Sequence, residues 1–383
     1  MSHKFAETEE QIEFRKMCKE FAKKEVLPRA AEADEKEEFP YDLFDKLAEQ
    51  GYTGILSDEK YGGQGASLWE LAAAAEEIAY YDSATALILV CQSLIPEGIL
   101  TKFGTEEQRK KYLTRLALGV VDGKREIGAM CMTEPNAGSD VRGIKTTAVL
   151  EGDHYVLNGS KCFCSNGAVA TVLFAFAQTE KGLSAFIIEN SFPGFHVGKV
   201  EHKMGLRSSL TSQLYFDNMI VPKENLLGEE GNGFKIAQAI LDEDRTINAI
   251  CCCGMAQRAI DESICYSKER VQFDKRISQF QNTKFQLAKM QTRLDAGKLL
   301  AYRAVSALME KDENAPMYTA MAKYYCSDVV NDIARRAVQI HGGYGYSREY
   351  PVEKIMRDAK IFEIMTGTTE IMKVTIAKAM GVR

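Results

Sequence analysis

The sequence lacks an excess of positive charge and a clear targeting segment. Its formal net charge is −6 at pH 7 and its isoelectric point is about 5.6. Nucleic-acid binding is not expected, because phosphate contacts need a basic surface. The longest apolar runs, such as TALILVCQSLI, are shorter than the roughly 20 residues that span a bilayer. The first residues, MSHKFAETEEQ, carry no apolar signal region, so we expect a cytoplasmic protein without a membrane span.

The cysteines also lack an ordered spacing. There are ten of them, and no two are arranged as CxxC. The run Cys251-Cys252-Cys253 falls in a helical stretch, where neighbouring side chains point about 100° apart and cannot share one metal ion. The five histidines are scattered. We therefore expect reduced cysteines that serve as small apolar residues, and no metal site.

The hydrophobic periodicity changes twice along the chain, which predicts three domains. Residues 1–121 are typical of helices, and residues 122–228 contain short β-branched and aromatic runs between Gly and Asn turns. Helical periodicity returns over residues 229–383. It predicts four long segments, at about 234–268, 280–311, 316–340 and 351–380. The predicted fold class is mainly α with a central β domain.

Two TEEQ sequences predict helix starts in the first domain. Thr8 and Thr105 can each accept a hydrogen bond from the backbone N–H three residues later, as in a capping box. The second helix is predicted to end at Gly119. The runs LAAAAEEIAYY and TALILVCQSLI predict two more helices, both buried.

Seven motifs occur in the order found in one enzyme family. They are TEPNAGSD, NGSKCFCSNG, MGLRSSLTS, LDEDR, ERVQF, QIHGGYGY and MRDAKIF followed by GTTE. Through them the chain resembles the acyl-CoA dehydrogenases almost from end to end. The resemblance implies a helical N-terminal domain, a barrel-like middle β domain and a C-terminal four-helix bundle. It also implies FAD as the cofactor, an acyl-CoA substrate, a homotetramer and an electron-transferring flavoprotein as the partner.

Two motifs of the middle domain suit a flavin. Pro135 and Gly138 predict a turn that presents backbone N–H groups and the Ser139 hydroxyl to an anion. Phe163 and Ser165 share one face of a predicted strand, where an aromatic ring and a hydroxyl suit a flat heterocycle. The resemblance implies that the flavin is lined by Met130, Cys131, Thr133, Ser139, Phe163 and Ser165, with Ser139 also near the CoA.

The glycine-rich motif QIHGGYGY predicts close approach of the backbone to a phosphate group. The resemblance implies that this loop and ERVQF reach the FAD of a neighbouring subunit. The residues implied at the cofactor are Arg270, Gln272, Gln281, Gln339, Gly342, Gly343, Thr368 and Glu370. Asp274 stands where the family generally has Gly after the Phe, and its charge would disfavour a nearby pyrophosphate unless it points away.

The usual catalytic Glu of the family is missing. Its place before Gly-Thr holds Thr366, which keeps only the backbone N–H that polarises the thioester carbonyl in the family. Asp244 is our first candidate for the base, because isovaleryl-CoA and long-chain members carry their Glu there. Its side chain is shorter than Glu by about 1.5 Å. Glu363 is the second candidate, on the face of Thr366 if the helix continues. Glu243 is the third and is expected to face away.

Fewer residues bear on the identity of the substrate's acyl group. The resemblance implies substrate contacts from Ser139, Cys91, Asp242, Arg245 and Gly367. Nothing cationic surrounds Cys91, which disfavours a dicarboxylic acyl group. With the relocated base, this favours a branched or alicyclic substrate similar to cyclohexane-1-carboxyl-CoA. A short- or medium-chain substrate, an enoyl-CoA reductase or oxidase, and a non-catalytic acyl-CoA-binding protein remain open alternatives.

Overall fold

The computed structural model describes residues 7–382, and the first part of this range is helical. The capping boxes at Thr8 and Thr105 are confirmed, since each side chain accepts from the predicted backbone N–H. Gly119 ends the last helix at a φ of 68°. The helices are α1 Glu9–Phe21, α2 Leu27–Lys36, α3 Tyr41–Glu49, α4 Leu68–Tyr81, α5 Ser83–Ser93, α6 Ile95–Phe103, α7 Glu106–Gln108 and α8 Thr114–Leu118. Single π turns, Ala22–Val26 and Arg109–Leu113, join α1 to α2 and α7 to α8.

A sheet follows. The strands are β1 Val120–Val121, β2 Lys124–Arg125, β3 Gly128–Cys131, β4 Thr147–Glu151, β5 His154–Ser165, β6 Val172–Thr179, β7 Gly182–Glu189, β8 Phe195–Val200, β9 Thr211–Pro222 and β10 Leu226–Leu227. The main sheet has the order β10-β7-β6-β4-β5-β9-β8, and β3 pairs with β6 outside that order. Most pairs are antiparallel, whereas β3 and β4 both run parallel to β6. The predicted class, mainly α with a central β region, is confirmed.

Long helices dominate the rest of the chain. They are α9 Gly233–Glu269, α10 Gln281–Met309, α11 Ala315–His341, α12 Val352–Ala359 and α13 Thr369–Ala379. A small hairpin, β11 Val271–Gln272 and β12 Lys275–Arg276, separates α9 from α10. The prediction of one helical segment at 351–380 is wrong. Thr366 and Gly367 adopt left-handed φ angles of 55° and 95°, which a continuous right-handed helix cannot contain.

Helix α9 connects two hydrophobic cores. Ile236 and Ile240, near its start, pack with α6 and the sheet. Ile247 and Ile250, about two to three turns further, pack with the helices of the N-terminal and C-terminal parts. Asp244 therefore lies on α9 between the two cores, where all three parts of the chain meet.

Within the described residues, one helical stretch, Ser83–Phe103, has the length and apolar composition of a membrane span. The expectation that every apolar run is too short is wrong for this stretch, because α5 and α6 continue one another. In its most apolar window 89% of the residues are buried inside the protein. Such burial is typical of a core helix.

The cysteines are free thiols, and all except Cys265 are buried. Cys251, Cys252 and Cys253 each lie at the apolar centre of the helices, with 1–2% of their surface exposed. No group of three or more His, Cys, Asp or Glu side chains that could hold a metal ion occurs within residues 7–382.

Candidate active site

Asp244 is a buried carboxylate that is held by two neutral donors. Its residue is 6% exposed. The Thr366 hydroxyl donates to its Oδ2 at 3.0 Å, and the Asn248 side-chain amide donates to its Oδ1 at 2.8 Å. No Lys, Arg or His of the described chain forms a salt bridge with it. Asp244 is thus solvated by hydrogen bonds and not neutralised by an ion pair.

This environment makes Asp244 a suitable proton acceptor. Burial raises its pKa from 3.8 to about 6, because the charged form loses water. The hydrogen bond from Thr366 is the largest opposing effect, and the charge of Arg245 is the next. A carboxylate with this pKa is ionised at neutral pH and is still a stronger base than an exposed Asp.

The turn that carries Thr366 is fixed by two cations. Arg245 Nε donates to the Thr366 carbonyl at 3.3 Å, and Lys323 Nζ donates to the Gly367 carbonyl at 2.5 Å. A β-branched residue at a φ of 55° is an outlier that costs on the order of 1–3 kcal/mol. The surrounding contacts impose this conformation. Among the described residues, nothing accepts a hydrogen bond from the Thr366 N–H.

The other two candidate carboxylates are bound elsewhere. Glu363 pairs with Lys360 across a short 3₁₀ helix, because the chain leaves the helical path before Thr366. The expectation that Glu363 and Thr366 share a helix face is therefore wrong. Glu243 forms a salt bridge of 2.7 Å with Lys102 of α6. Of the three carboxylates, Asp244 is the one in contact with Thr366.

Most of the residues expected at the substrate lie around this centre. Arg245 forms a salt bridge of 3.0 Å with Asp242, whose Oδ1 also accepts from the Thr319 hydroxyl at 3.4 Å. Burial, and then the charge of Asp244, raise the pKa of the Cys91 thiol to about 12, and a hydrogen bond with Ser165 opposes this shift. These interactions bring α5, β5 and α9 together at one place.

Gln92, which neighbours Cys91, has a structural role. Its amide nitrogen donates to the carbonyls of Leu116 and Glu126 at 2.8 and 3.0 Å, and its oxygen accepts from the Gly128 N–H at 2.8 Å. Gln92 is fully buried. Because the whole amide is used between α5, α8 and β3, Gln92 is not available to an acyl chain.

Asn248 and Lys323 were missed by the sequence analysis. Both are polar residues at buried positions of long helices, 2% and 1% exposed. Burial lowers the pKa of Lys323 to about 8, against the raising effect of nearby thiol and carboxyl groups. The available signal was a Lys or Asn at an apolar position of the helical repeat, because such residues are rarely buried without a partner.

The TEPNAGSD turn is anchored by a buried ion pair. Glu134 accepts from Lys161 Nζ at 2.7 Å and from the backbone N–H groups of Lys145 and Thr146. Ser139 is left exposed at the outer part of the turn. Thr133 follows β3, which ends at Cys131. The Thr133 carbonyl still accepts from the Cys162 N–H at 2.9 Å.

A bulge in β5 turns Phe163 outward. The register between β5 and β9 shifts between Lys161 and Cys164, and Phe163 has a φ of 53° and is 66% exposed. Ser165 is half-buried on the same face, opposite the buried Cys164. On β3, Met130 is partly exposed, whereas Cys131 is fully buried in the sheet core. Only the main chain of Cys131 could therefore touch a ligand.

A second group of predicted residues lines a cleft of about 610 Å³ between the hairpin and the glycine-rich loop. It contains Arg270, Gln272, Gly342 and Gly343, and it shares no residue with the Asp244 centre. The Arg270 guanidinium lies over the ring of Tyr344, 5.6 Å from its centroid. The remaining predicted residues are Gln281 and Gln339, both exposed on helices, Thr368, which caps α13, and Glu370, exposed in its first turn.

The hairpin explains why Asp274 is tolerated. Phe273 and Asp274 form the two-residue connection between β11 and β12, at φ angles of 54° and 61°. Such a turn needs two left-handed residues, for which Gly is best and Asp is acceptable. Asp274 is exposed at the tip and does not line the cleft. Its charge is therefore kept out of the cleft that Arg270 lines.

These features fit a flavin nucleotide. An added Cβ at Gly342 or Gly343 would meet nothing within 4 Å, so the loop leaves room for a ligand against its backbone. Arg270 has no salt-bridge partner within residues 7–382 and is available to a phosphate. Phe163 presents an exposed aromatic ring beside Ser165. The donor and ring chemistry thus suits the pyrophosphate and isoalloxazine parts of FAD, in two separate places.

Comparison with family models gives one consistent assignment. Models for the N-terminal, middle and C-terminal domains of acyl-CoA dehydrogenase match residues 8–120, 129–219 and 231–381. Together these matches cover most of the chain.

Curated relatives carry several related names. The short-chain-specific acyl-CoA dehydrogenase of Clostridium acetobutylicum is 44% identical over 375 residues, which cover 97% of both chains. The acryloyl-CoA reductase (NADH) of Anaerotignum propionicum is 43% identical, over 98% of this chain and 95% of that protein. The cyclohex-1-ene-1-carbonyl-CoA dehydrogenase of Geobacter metallireducens is 39% identical, over 97% of this chain and 98% of that protein.

Solved structures match over nearly the whole chain. Butyryl-CoA dehydrogenase from Megasphaera elsdenii superposes with a TM-score of 0.93 and 40% identity, covering 98% of this chain and 99% of that one. A structure described as the electron transferring flavoprotein of Acidaminococcus fermentans gives a TM-score of 0.94 and 41% identity, with coverage of 98% and 99%.

Proposed function

Because this chain belongs to the acyl-CoA dehydrogenase family of oxidoreductases, we propose that it desaturates an acyl-CoA thioester with Asp244 as the α-proton acceptor. The observation that carries the proposal is the contact of Asp244 Oδ2 with Thr366 Oγ1 at 3.0 Å. It puts a carboxylate beside the backbone position where the family's Glu usually stands. The flavoprotein family and the two fitting regions support FAD as the cofactor.

The proposed reaction divides the work between side chain and backbone. Asp244 is ionised at neutral pH, since its pKa is about 6, and it takes the proton from Cα. The free N–H of Thr366 can donate to the thioester carbonyl, where negative charge develops as the proton leaves. The two cations on the turn carbonyls keep this N–H in a fixed place. A bound flavin supplies the acceptor for the hydride that leaves Cβ.

We propose a branched or alicyclic acyl group as the substrate. Asp is about 1.5 Å shorter than the Glu used at this position in isovaleryl-CoA and long-chain members, so Cα must lie closer to α9. A branched or cyclic carbon skeleton fills space next to Cα and suits this approach. The cyclohexene-carbonyl-CoA dehydrogenase relative supports an alicyclic skeleton. A short linear acyl group is the competing substrate, supported by the relative from Clostridium acetobutylicum.

A second candidate function is the reverse reaction, reduction of an enoyl-CoA. Two relatives favour it: the acryloyl-CoA reductase, and a protein named caffeyl-CoA reductase-Etf complex subunit CarC, 41% identical over 95% of this chain. In that direction Asp244 would deliver its proton to Cα. These names and the Acidaminococcus structure also support an electron-transferring flavoprotein as the redox partner.

We further propose a cytoplasmic homotetramer. The hairpin and the glycine-rich loop expose large apolar side chains, with Phe273 88% and Tyr346 89% exposed. Exposed aromatic residues of this size next to a cofactor cleft favour burial against another subunit. A neighbouring copy would also unite the two separate flavin regions into complete sites.

The test uses the purified yellow protein under anaerobic conditions. Linear, branched, dicarboxylic and cyclohexanecarboxyl thioesters of CoA are mixed with it in turn, and loss of flavin absorbance is followed. We expect rapid loss with a branched or cyclic thioester, and none with the same thioester in Asp244→Asn, which should keep its FAD. A fully active Asp244→Asn variant would exclude Asp244 as the base. Reduction only in the enoyl-CoA direction would favour the second function.

A further inference from the structure

Asn248 is a buried polar residue that the reaction described above does not use. It lies on α9 one turn after Asp244 and is 2% exposed. Its neighbours on the helix, Ile247, Ala249 and Ile250, are fully apolar and buried. Burying an amide among such residues costs on the order of 1–3 kcal/mol unless its groups are hydrogen-bonded. The position therefore needs a reason beyond packing.

The amide nitrogen of Asn248 contacts the side chains of both Asp244 and Thr366. It donates to the Asp244 carbonyl and to Asp244 Oδ1, both at 2.8 Å, and lies 3.4 Å from Thr366 Oγ1. The Thr366 hydroxyl closes the set by donating to Asp244 Oδ2. The three side chains form one polar cluster at the end of an apolar helix segment. Each Asp244 oxygen has one donor and keeps lone-pair capacity for a proton.

The short Asp side chain makes its orientation critical. A carboxylate can rotate about its terminal bond unless contacts on both oxygens hold its plane. A proton acceptor must be held within about 0.5 Å and 10–20° of the reactive geometry. We propose that Asn248 is a positioning residue for Asp244: its amide fixes the plane of the carboxylate and links it to the Thr366 turn. This inference rests on the proposed function, in which Asp244 is the base.

The contact has a second consequence for protonation. Donors to a carboxylate favour its ionised form, so Asn248 works against the burial that raises the pKa of Asp244. The other titratable groups that face Asp244 are Arg245 on α9, Lys323 on α11 and the thiols of Cys91 and Cys251. Arg245 and Lys323 bond groups other than Asn248, so we expect both to keep their places when Asn248 is changed. Loss of the amide should therefore raise the protonation midpoint of Asp244 by about one pH unit.

The test separates the carboxylate contact from the helix contact. Asn248→Leu has nearly the same shape and no donor. Asn248→Ser can restore only the bond to the backbone carbonyl of Asp244, since a hydroxyl at this spacing bonds four residues back. Asn331→Leu is the matched control, because its amide donates to the Ser327 carbonyl of α11 and the Ala359 carbonyl of α12 and touches no carboxylate.

Two readouts are needed. Infrared titration of the FAD-loaded protein gives the midpoint of the Asp244 carboxyl band, identified by its loss in Asp244→Asn. The pH profile of flavin reduction by the thioester gives the same midpoint from activity. We expect both Asn248 variants to raise the midpoint and to lower kcat about tenfold at neutral pH with little change in KM, since the residue acts on the base and not on binding. Asn331→Leu should lower only the melting temperature.

An infrared midpoint equal to that of the wild type in both Asn248 variants would overturn the inference, and Asn248 would then be a packing residue. Failure of the proposed function gives a different result. In that case no thioester or enoyl-CoA reacts with the flavin, although the infrared midpoint still moves in Asn248→Leu. If Asn248→Leu does not fold, Asn248→Ser answers the same question.

Discussion

The Thr366 hydroxyl donates a hydrogen bond of 3.0 Å to Asp244 Oδ2, across 122 residues of sequence. This contact joins α9 to the turn before α13. The residue that replaces the usual Glu of the family thus binds the carboxylate that we propose as its substitute. In our proposal the base lies on α9, whereas the backbone N–H that would polarise the thioester stays at position 366.

The pH dependence of flavin reduction should show an acid limb near pH 6. Asp244 accepts a proton only when it is ionised, and its pKa is about 6. The rate of substrate reduction of the flavin should therefore fall about tenfold per pH unit below that value. Stopped-flow measurements of the limiting rate of flavin reduction at saturating substrate, made across this pH range, would check this. A limb close to pH 4 would indicate an exposed carboxylate as the base.

The base should be transferable to position 366. Asp244→Asn is expected to lose flavin reduction by more than a hundredfold. Adding Thr366→Glu to that variant should recover part of the rate, because it returns a carboxylate to the family's usual place. Thr366→Gln in the same background is the control, with similar size and no base. If the Glu and Gln double variants are equally inactive, the Thr366 turn is not within reach of Cα.

The free energy of unfolding should depend on pH through the ionisation of Asp244. Its pKa is about 6 in the folded protein and 3.8 in the reference state, so the folded state binds more protons between these values. The stability due to this group is therefore present at low pH and is lost as the pH rises to about 6. The free energy of unfolding of Asp244→Asn, relative to that of the wild type, should therefore increase by up to about 3 kcal/mol between pH 4 and 7.5. Denaturant unfolding of both proteins measures this, and a constant difference would exclude the raised pKa.

Lys323 should be essential for the turn. Lys323→Met keeps the length of the side chain and leaves the Gly367 carbonyl without its 2.5 Å donor. We expect a loss of stability of about 1–3 kcal/mol, because the carbonyl loses its hydrogen bond. The acid limb should also move to higher pH, because a positive charge near Asp244 is removed. Lys323→Arg tests whether charge alone suffices. An acid limb that does not move in Lys323→Met would show that this lysine acts on the backbone only.

The glycine-rich loop allows a direct test for a ligand or subunit against its backbone. A methyl group at Gly343 meets no atom of its own chain within 4 Å, and Gly343 does not have a left-handed φ. Gly343→Ala should therefore fold normally but hold FAD at least tenfold more weakly. Gly138→Ala makes the same test in the other flavin region, since a methyl group at Gly138 also meets nothing within 4 Å. Unchanged FAD content in Gly343→Ala would place the cofactor away from this loop.

Much of the secondary structure follows from local sequence. The TEEQ boxes start helices at the predicted residues because a Thr and a Gln three apart satisfy each other's backbone donors. The three long segments near 234–268, 280–311 and 316–340 agree with α9, α10 and α11 to within a few residues. The fourth failed at Thr366, because its left-handed conformation is imposed by Arg245 and Lys323 from distant helices.

The sequence alone determined the residue types of the site: a carboxylate before Arg245, a Thr before Gly367 and glycines in the loop after α11. These are local patterns, and motif order is enough to recognise them. Only the tertiary structure decided which carboxylate meets Thr366, because Glu363 and Glu243 are turned to lysines on other faces. It also brought in Asn248 and Lys323, whose roles depend on partners one helix turn or more than 40 residues away. Burial sets the pKa of Asp244, and burial is a property of the packed helices and not of the local sequence.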